Sequence, residues 1–208
     1  MVRGVPVFVP KQAALIEAIF ARPALFYHLR RPIYWGSLAR LRRALDLRDG
    51  ERLLDVGCGT GMCAHLAARS YVGIDAAMPY LRFASARWRD AGHSFVAMDA
   101  FDCAFSAATF DKAILINMVH HLDDAAVEAL FDQLRHIVRA RVVVMDAAPE
   151  IANPLERLVL RYDRGDYIRP VPALRALVTR HFDLEREECF HNALHIVPQV
   201  VLALRPRH

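Results

Sequence analysis

The chain has 208 residues, 55% of them hydrophobic and 24% charged, with a formal net charge of +4 carried almost wholly by arginine. That length and composition suit a globular domain with a sizeable core and exclude a disordered or fibrous chain. No apolar run reaches the roughly 18 residues a membrane span needs, and no basic block reaches the length of a nucleic-acid-binding arm.

Pro6 and Pro10 interrupt the opening MVRGVPVFVP, so a secretory apolar core is lacking and the cytoplasm is the expected location. Cys58, Cys63, Cys103 and Cys189 are too few and too scattered for a disulfide framework or a zinc site. They are expected to be reduced thiols, with no metal site.

In chain order, residues 11–31 read as a helix with Leu15, Ile16, Ile19 and Phe20 on one stripe and a break at Pro23. A second helix is expected over 34–46, where Leu38, Leu41 and Leu45 recur at spacings of three and four, ended by RDG at 48–50. The pattern then changes. A short strand over 52–56 runs into glycines, 62–69 reads as helical, and 71–74 is a strand ending in Asp75. Residues 77–90 are helical, with Pro79 in the first turn, where its missing N–H costs nothing.

Strands follow at 95–98, before Asp99, and at 112–116, before Asn117. The clearest helix spans 124–138, with Val127, Leu130, Phe131, Leu134 and Ile137 on one face and Asp123 or Asp124 as N-cap. A fifth strand covers 142–145 and ends at Asp146. Residues 148–170 read as irregular or partly helical and 172–182 as helical. The tail reads as two strands forming an antiparallel edge pair. Short apolar strands alternating with helices imply an α/β fold, a mostly parallel sheet covered on both faces.

In such sheets ligands sit beyond the carboxyl ends of the strands, and the stretch there is LLDVGCGTGMC at 53–63. A phosphate-cradling loop needs Lys-Ser/Thr after the glycines, and this chain has Met62-Cys63. A dinucleotide fingerprint needs a third glycine at 62, where Met62 stands, which weakens that reading without removing it.

The stretch LLDVGCGTG resembles the first motif of the class I S-adenosylmethionine-dependent methyltransferases. YVGID at 71–75, MDA at 98–100 and FDKAILINMVHHL at 110–122 resemble later motifs of that family in the same order, and the resemblance covers about 50–208. It implies a Rossmann-like methyltransferase fold with a seven-stranded sheet: a single domain over 1–208, with a helical cap at 1–50, a core at 51–208 and a substrate-side insert at 147–170.

It also implies site residues. Asp75 would accept from the ribose hydroxyls of S-adenosylmethionine and Ala76 would pack on adenine; the alternative for Asp75 is a surface-turn aspartate. Asp99 would accept from the adenine amino group and the Ala100 N–H would donate to the ring; the alternative for Asp99 is an Asx turn. Asp55 would lie under the methionine end, Gly57, Cys58, Gly59 and Gly61 would supply backbone, and Asn117 would offer its carbonyl. His120 and His121 follow the fourth strand and have the right pKa for a general base; a turn that caps the next helix is the other reading.

The run Asn117-Met118-Val119-His120 lacks the Pro-Pro-aromatic of the nucleic-acid-base and amide branches. It resembles instead the branch acting on small molecules, which includes quinone and lipid methyltransferases. The expected acceptor is a small molecule methylated at oxygen or nitrogen, apolar or aromatic, with nucleic acid not expected. Tyr34, Tyr162, Tyr167, Arg169 and His191 are acceptor-side candidates, although RYDRGDYIRP at 161–170 reads equally as a solvated salt-bridge turn. The stripe Phe20, Leu25, Phe26 and Tyr27 could cover the acceptor, touch a membrane surface or cover the core. An NAD(P)-dependent oxidoreductase, an RNA methyltransferase and a non-catalytic cofactor-binding partner protein stay open. Oligomeric state is not legible.

Overall fold

The computed structural model describes residues 21–67, 70–89, 92–161, 165–192 and 197–207. Its centre is a seven-stranded sheet in the order β3-β2-β1-β4-β5-β7-β6. The strands are β1 (Leu53–Val56), β2 (Tyr71–Asp75), β3 (Ser94–Ala97), β4 (Phe110–Ile116), β5 (Val138–Ala147), β6 (Phe182–His191) and β7 (Pro198–Pro206). β1 to β5 pair in parallel; β7 runs antiparallel to both β5 and β6. Strand order reverses between β1 and β4, and this switch point opens the crevice where such sheets bind ligands.

Period-two alternation divides the core between the two faces. Ala113, Leu115, Val142, Val144, Val200, Leu202 and Leu204 face one cluster, and Ile114, Val143, Met145, Val201 and Ala203 face the other. The first face is covered by helices α3 (Asp124–Ile137) and α5 (Val171–His181), through Val127, Leu130, Phe131, Leu134, Leu174 and Val178. Asp123 caps α3 by accepting from the Ala126 N–H at 2.8 Å, as its sequence predicts. The second face is covered by helix α1 (Pro23–Leu45), through Leu41, Ala44 and Leu45. Two further helices, α2 (Met78–Arg87) and α4 (Pro154–Arg161), lie on the connections.

Several boundaries differ from expectation. The expected break falls at Pro23, which stands in the first turn of α1, but the stretch from Pro23 to residue 31 and the helix expected over 34–46 are one, with Pro32 inside it. An internal proline forfeits one helical hydrogen bond, and burial of Leu41, Ala44 and Leu45 holds the C-terminal half in place regardless. α1 also ends before RDG, on left-handed Asp46 (φ 47°), whose N–H donates to the Arg42 carbonyl. Of the helix expected over 62–69, the described residues 62–67 form only a 3-10 turn, Ala64–Leu66. The 148–170 stretch contains a 3-10 turn and α4. Asn153 and Glu156 start α4 as a reciprocal cap, each side chain accepting from the other's N–H at 2.9 and 2.8 Å.

The stripe Leu15, Ile16, Ile19 and Phe20 lies outside the described residues, as does Tyr162. No helix among the described residues is long and apolar enough to cross a membrane.

Candidate active site

β1 delivers Asp55 to the switch point and then turns through Gly57, Gly59 and Gly61, whose φ values of +69°, +52° and +68° suit glycine. Gly61 is the tightest of the three. A Cβ there would stand 2.9 Å from the Phe95 ring and 3.1 Å from the Ala84 Cβ, and the Gly61 carbonyl accepts from the Trp88 indole at 3.0 Å. Gly50 has an equally unfavourable φ of +85° but open space around it. Gly61→Ala is therefore expected to destabilise by about 3 kcal/mol, strain plus overpacking, and Gly50→Ala by about 1 kcal/mol. Urea unfolding midpoints check this, and equal shifts would refute the packing argument.

The turn is held from β2. One oxygen of Asp75 accepts from the Gly59 N–H at 2.8 Å and the other from the Ala77 N–H at 2.7 Å. Beneath it Asp55 is almost fully buried and accepts from the Tyr71 hydroxyl at 2.5 Å. Burial pushes the Asp55 carboxyl up to about 7; the Tyr71 hydrogen bond opposes that shift and the nearby Asp75 charge adds to it. Burial, with Asp55 and Asp75 close by, also holds the Cys58 thiol far above its ordinary range, so the thiol stays neutral and unreactive.

Asp55, the turn and Asp75 line one cavity of about 230 Å3. α1 supplies its other wall through Phe26, Arg30 and Tyr34, four residues apart and so on one helix stripe. Phe26 stacks on Tyr80 at 5.3 Å, and the Arg30 guanidinium lies 5.0 Å from the Phe26 ring and 5.3 Å from the Tyr34 ring. At the β4 end stand Asn117, Met118 and His121. Asn117 is left-handed (φ 50°); its amide donates to the Tyr34 hydroxyl and accepts from Gln199 at 3.1 Å, while Gln199 accepts from Ser37 at 3.0 Å. This chain of buried polar groups ties α1 to the ends of β4 and β7.

The cavity thus brings together Tyr34, Asp55, Gly57, Cys58, Gly59, Asp75, Asn117 and His121. Other predicted residues stand elsewhere. His120 is buried, and its Nδ1 pairs with Asp146, which also accepts from the His120 backbone N–H at 3.1 Å. Its ring belongs to a separate, small space beside Tyr167 and Arg169. Arg169 straps the turn before α3, donating to the Val119 and Leu122 carbonyls at 3.1 and 2.6 Å and pairing with Asp124 at 2.7 Å. The salt-bridge reading of that segment describes Arg169, and Tyr167 is exposed. His191 pairs with buried Glu156 at 2.7 Å. Asp99 makes an Asx turn, accepting from the Phe101 N–H at 2.9 Å. Ala76, Asp99 and Ala100 lie beyond the cavity walls.

Sequence reasoning missed Ser37, Gln199, Asp146 and Arg30, while Phe26 of the N-terminal stripe does line the cavity. Gln199 had a visible signal, one polar residue within the apolar run VPQVVLAL. Asp146 had another, an acid at the carboxyl end of a strand.

The sheet order and the glycine turn at its switch point define a Rossmann-like α/β protein. A methyltransferase-domain family model matches residues 53–141. An O-methyltransferase of Aspergillus nomiae is 28% identical over 142 residues, 62% of each chain. A demethylmenaquinone methyltransferase of Roseiflexus is 29% identical over 80% of this chain and 72% of its own. The fold matches an S-adenosylmethionine-dependent methyltransferase of Mesorhizobium loti with a TM-score of 0.66 at 20% identity, over 83% of this chain and 97% of that one. In sequence over 53–141 and in fold, the chain is similar to the class I S-adenosylmethionine-dependent methyltransferases. It spans about three fifths, 62%, of the length of the Aspergillus relative.

Proposed function

We propose that the protein is an S-adenosylmethionine-dependent methyltransferase acting on a small-molecule acceptor, with oxygen favoured over nitrogen by the kinds of relative it matches. The observation that carries the reading is the single cavity at the switch point, where Asp55, the glycine turn, Asp75, Asn117 and His121 converge. The donor set suits the cofactor. Asp55 is an acid at the floor for a cationic amino-acid end, and each Asp75 oxygen keeps a lone pair for a ribose hydroxyl. At about 230 Å3 the cavity is smaller than the roughly 300–1,000 Å3 of drug-sized ligand sites. It would enclose the methionine and ribose end, with adenine on the open strand ends near Ala76, Asp99 and Ala100.

When bound, the cofactor supplies a methyl group activated by a positive sulfur. The chain's work is then to align an acceptor for in-line displacement and to exclude water. Tyr34, Phe26 and Arg30 close the cavity from α1. His121 lines it, and in this reading it takes a proton from an acceptor hydroxyl. His120 is a positioning residue: its pairing with Asp146 holds the turn that presents His121. In this reading 1–208 is one methyltransferase domain of the cytoplasm, with 1–50 as cap and 147–170 as acceptor-side insert.

The test is transfer of labelled methyl from S-adenosylmethionine to a panel of phenols, quinols and carboxylic acids. Cofactor binding with no labelled product and no S-adenosylhomocysteine release on any acceptor would favour a non-catalytic partner protein instead. On an accepted hydroxyl substrate, His121→Ala is expected to lower kcat by about 100-fold with little change in melting temperature. His120→Ala is expected to lower the melting temperature by several degrees, because it strands a buried carboxylate. The reverse pattern would exchange their roles.

A further inference from the structure

A second and larger cavity, about 750 Å3, is walled by α1, by the 62–66 turn and by the end of α2. It lies where the described part of the β1–β2 connection makes the 3-10 turn Ala64–Leu66 in place of the α-helix its sequence suggests. Tyr27, Arg31, Leu38 and Arg42 recur at spacings of four and seven, one stripe of α1, and all four line the cavity.

Its chemistry is two-sided. Tyr27, Leu38, Met62 and Trp88 give it apolar walls; Arg31, Arg42, Arg43 and Arg87 also line it, with no Asp or Glu among the described lining residues. Several other arginines find acids: Arg40 pairs with Glu188 at 2.9 Å, Arg141 with Glu185 at 2.9 Å and Arg207 with Asp183 at 2.8 Å. Arg43 has a longer contact with Glu188, 3.8 Å. Among the described residues, Arg31, Arg42 and Arg87 have no carboxylate within ion-pair distance. Arg87 instead lies over the Tyr27 and Trp88 rings, at 5.8 and 5.4 Å. Burial, with the positive fields of Arg42 and Arg31, holds His65 on the cavity wall below its ordinary pKa. Clustered guanidinium groups repel one another, and an anion among them reverses the sign of that interaction.

We propose that this cavity is a second ligand site, for an anionic amphiphile with an apolar body and a phosphate head. The body lies against Leu38, Met62 and Trp88, and the head takes charge-assisted hydrogen bonds from Arg31 and Arg42. Met62 lines both cavities, so the occupant borders the methyl-transfer site without sharing Asp55 or Asp75. The site therefore stands or falls apart from the proposed activity.

The test is calorimetric titration of the full chain with decyl phosphate below its micelle concentration, with decanol and inorganic phosphate as the two halves of the ligand. Decyl phosphate is expected to bind at a single site, at least about tenfold more tightly than either half. The double variant Arg31→Gln/Arg42→Gln is expected to lose about tenfold or more in affinity while its melting temperature is unchanged. Co-sedimentation with phosphatidylglycerol vesicles separates the sources. Titration without sedimentation assigns a soluble ligand; sedimentation lost in the double variant assigns a lipid headgroup. Decanol binding as tightly as decyl phosphate, indifference of both assays to the arginines, or neither titration nor sedimentation would overturn the proposal.

Discussion

Asp75→Ala is expected to abolish measurable binding of S-adenosylmethionine and S-adenosylhomocysteine, a loss of at least about 100-fold by calorimetric titration. The carboxylate has two duties in the proposed site. It holds the glycine turn, through the Gly59 N–H at 2.8 Å and the Ala77 N–H at 2.7 Å, and it offers its remaining lone pairs to the ribose. Hydrogen bonds to a charged group contribute about 1.5–3 kcal/mol each, so losing the ligand bonds alone exceeds the 100-fold threshold. Loosening of the turn adds to the loss. Asp75→Asn keeps one carbonyl acceptor and turns an amide toward a backbone N–H, so it should bind with intermediate affinity. NADH should give no heat with parent or variant. An Asp75→Ala protein that binds S-adenosylhomocysteine like its parent would remove the basis for the functional reading.

The second large effect is on pH. Asp55 titrates at about 7 in the fold against an ordinary value of 3.8, because burial disfavours its charged form. A raised carboxyl pKa means that the fold prefers the protonated group. The stabilisation is complete below about pH 4 and is lost as pH rises through 7. For a shift of about three units that amounts to about 4 kcal/mol of ligand-free stability. Ligand binding has the opposite slope. A cationic amino-acid end near Asp55 favours the carboxylate, so affinity should rise through pH 7 and binding near pH 6 should release a proton. Asp55→Asn should flatten the Asp55 contribution to both profiles while keeping an acceptor for Tyr71. Urea unfolding across pH 4–8, and calorimetry in buffers of different ionisation enthalpy, read the two slopes. Cofactor affinity independent of pH in the parent would show that Asp55 does not face the charged end.

The elements that sequence alone located share one property: their signal is local and repeated. The α3 stripe from Val127 to Ile137 appears in the structure within one residue of its expected end, with Asp123 as its cap. The buried strands ending at Val56, Asp75, Ile116 and Ala147 are readable because short apolar runs bounded by glycine, an acid or Asn117 have few other uses. Where the signal was local but the outcome depended on neighbours, boundaries moved. Pro32 would end an isolated helix, and sheet packing carries α1 past it. The 62–69 stretch is helical by composition, and its described residues form a single 3-10 turn.

The same division runs through the site. The amino-acid sequence by itself determined the strand–helix alternation, the glycine turn after β1 and the acids at strand ends, because backbone freedom and burial demand those residues at those positions. The tertiary structure alone decided which of them face one another. His121 lines the cavity while its neighbour His120 turns to Asp146, a choice made by a strand 26 residues away. Tyr34 reaches Asn117 across 83 residues and Gln199 reaches it across 82. Arg169 became a strap on the turn before α3, and Arg31 and Arg42 were left facing a cavity with no acid among its described lining residues. Partners distant in sequence leave no periodicity to read, and only the packing of α1 against the sheet brings them within hydrogen-bonding range.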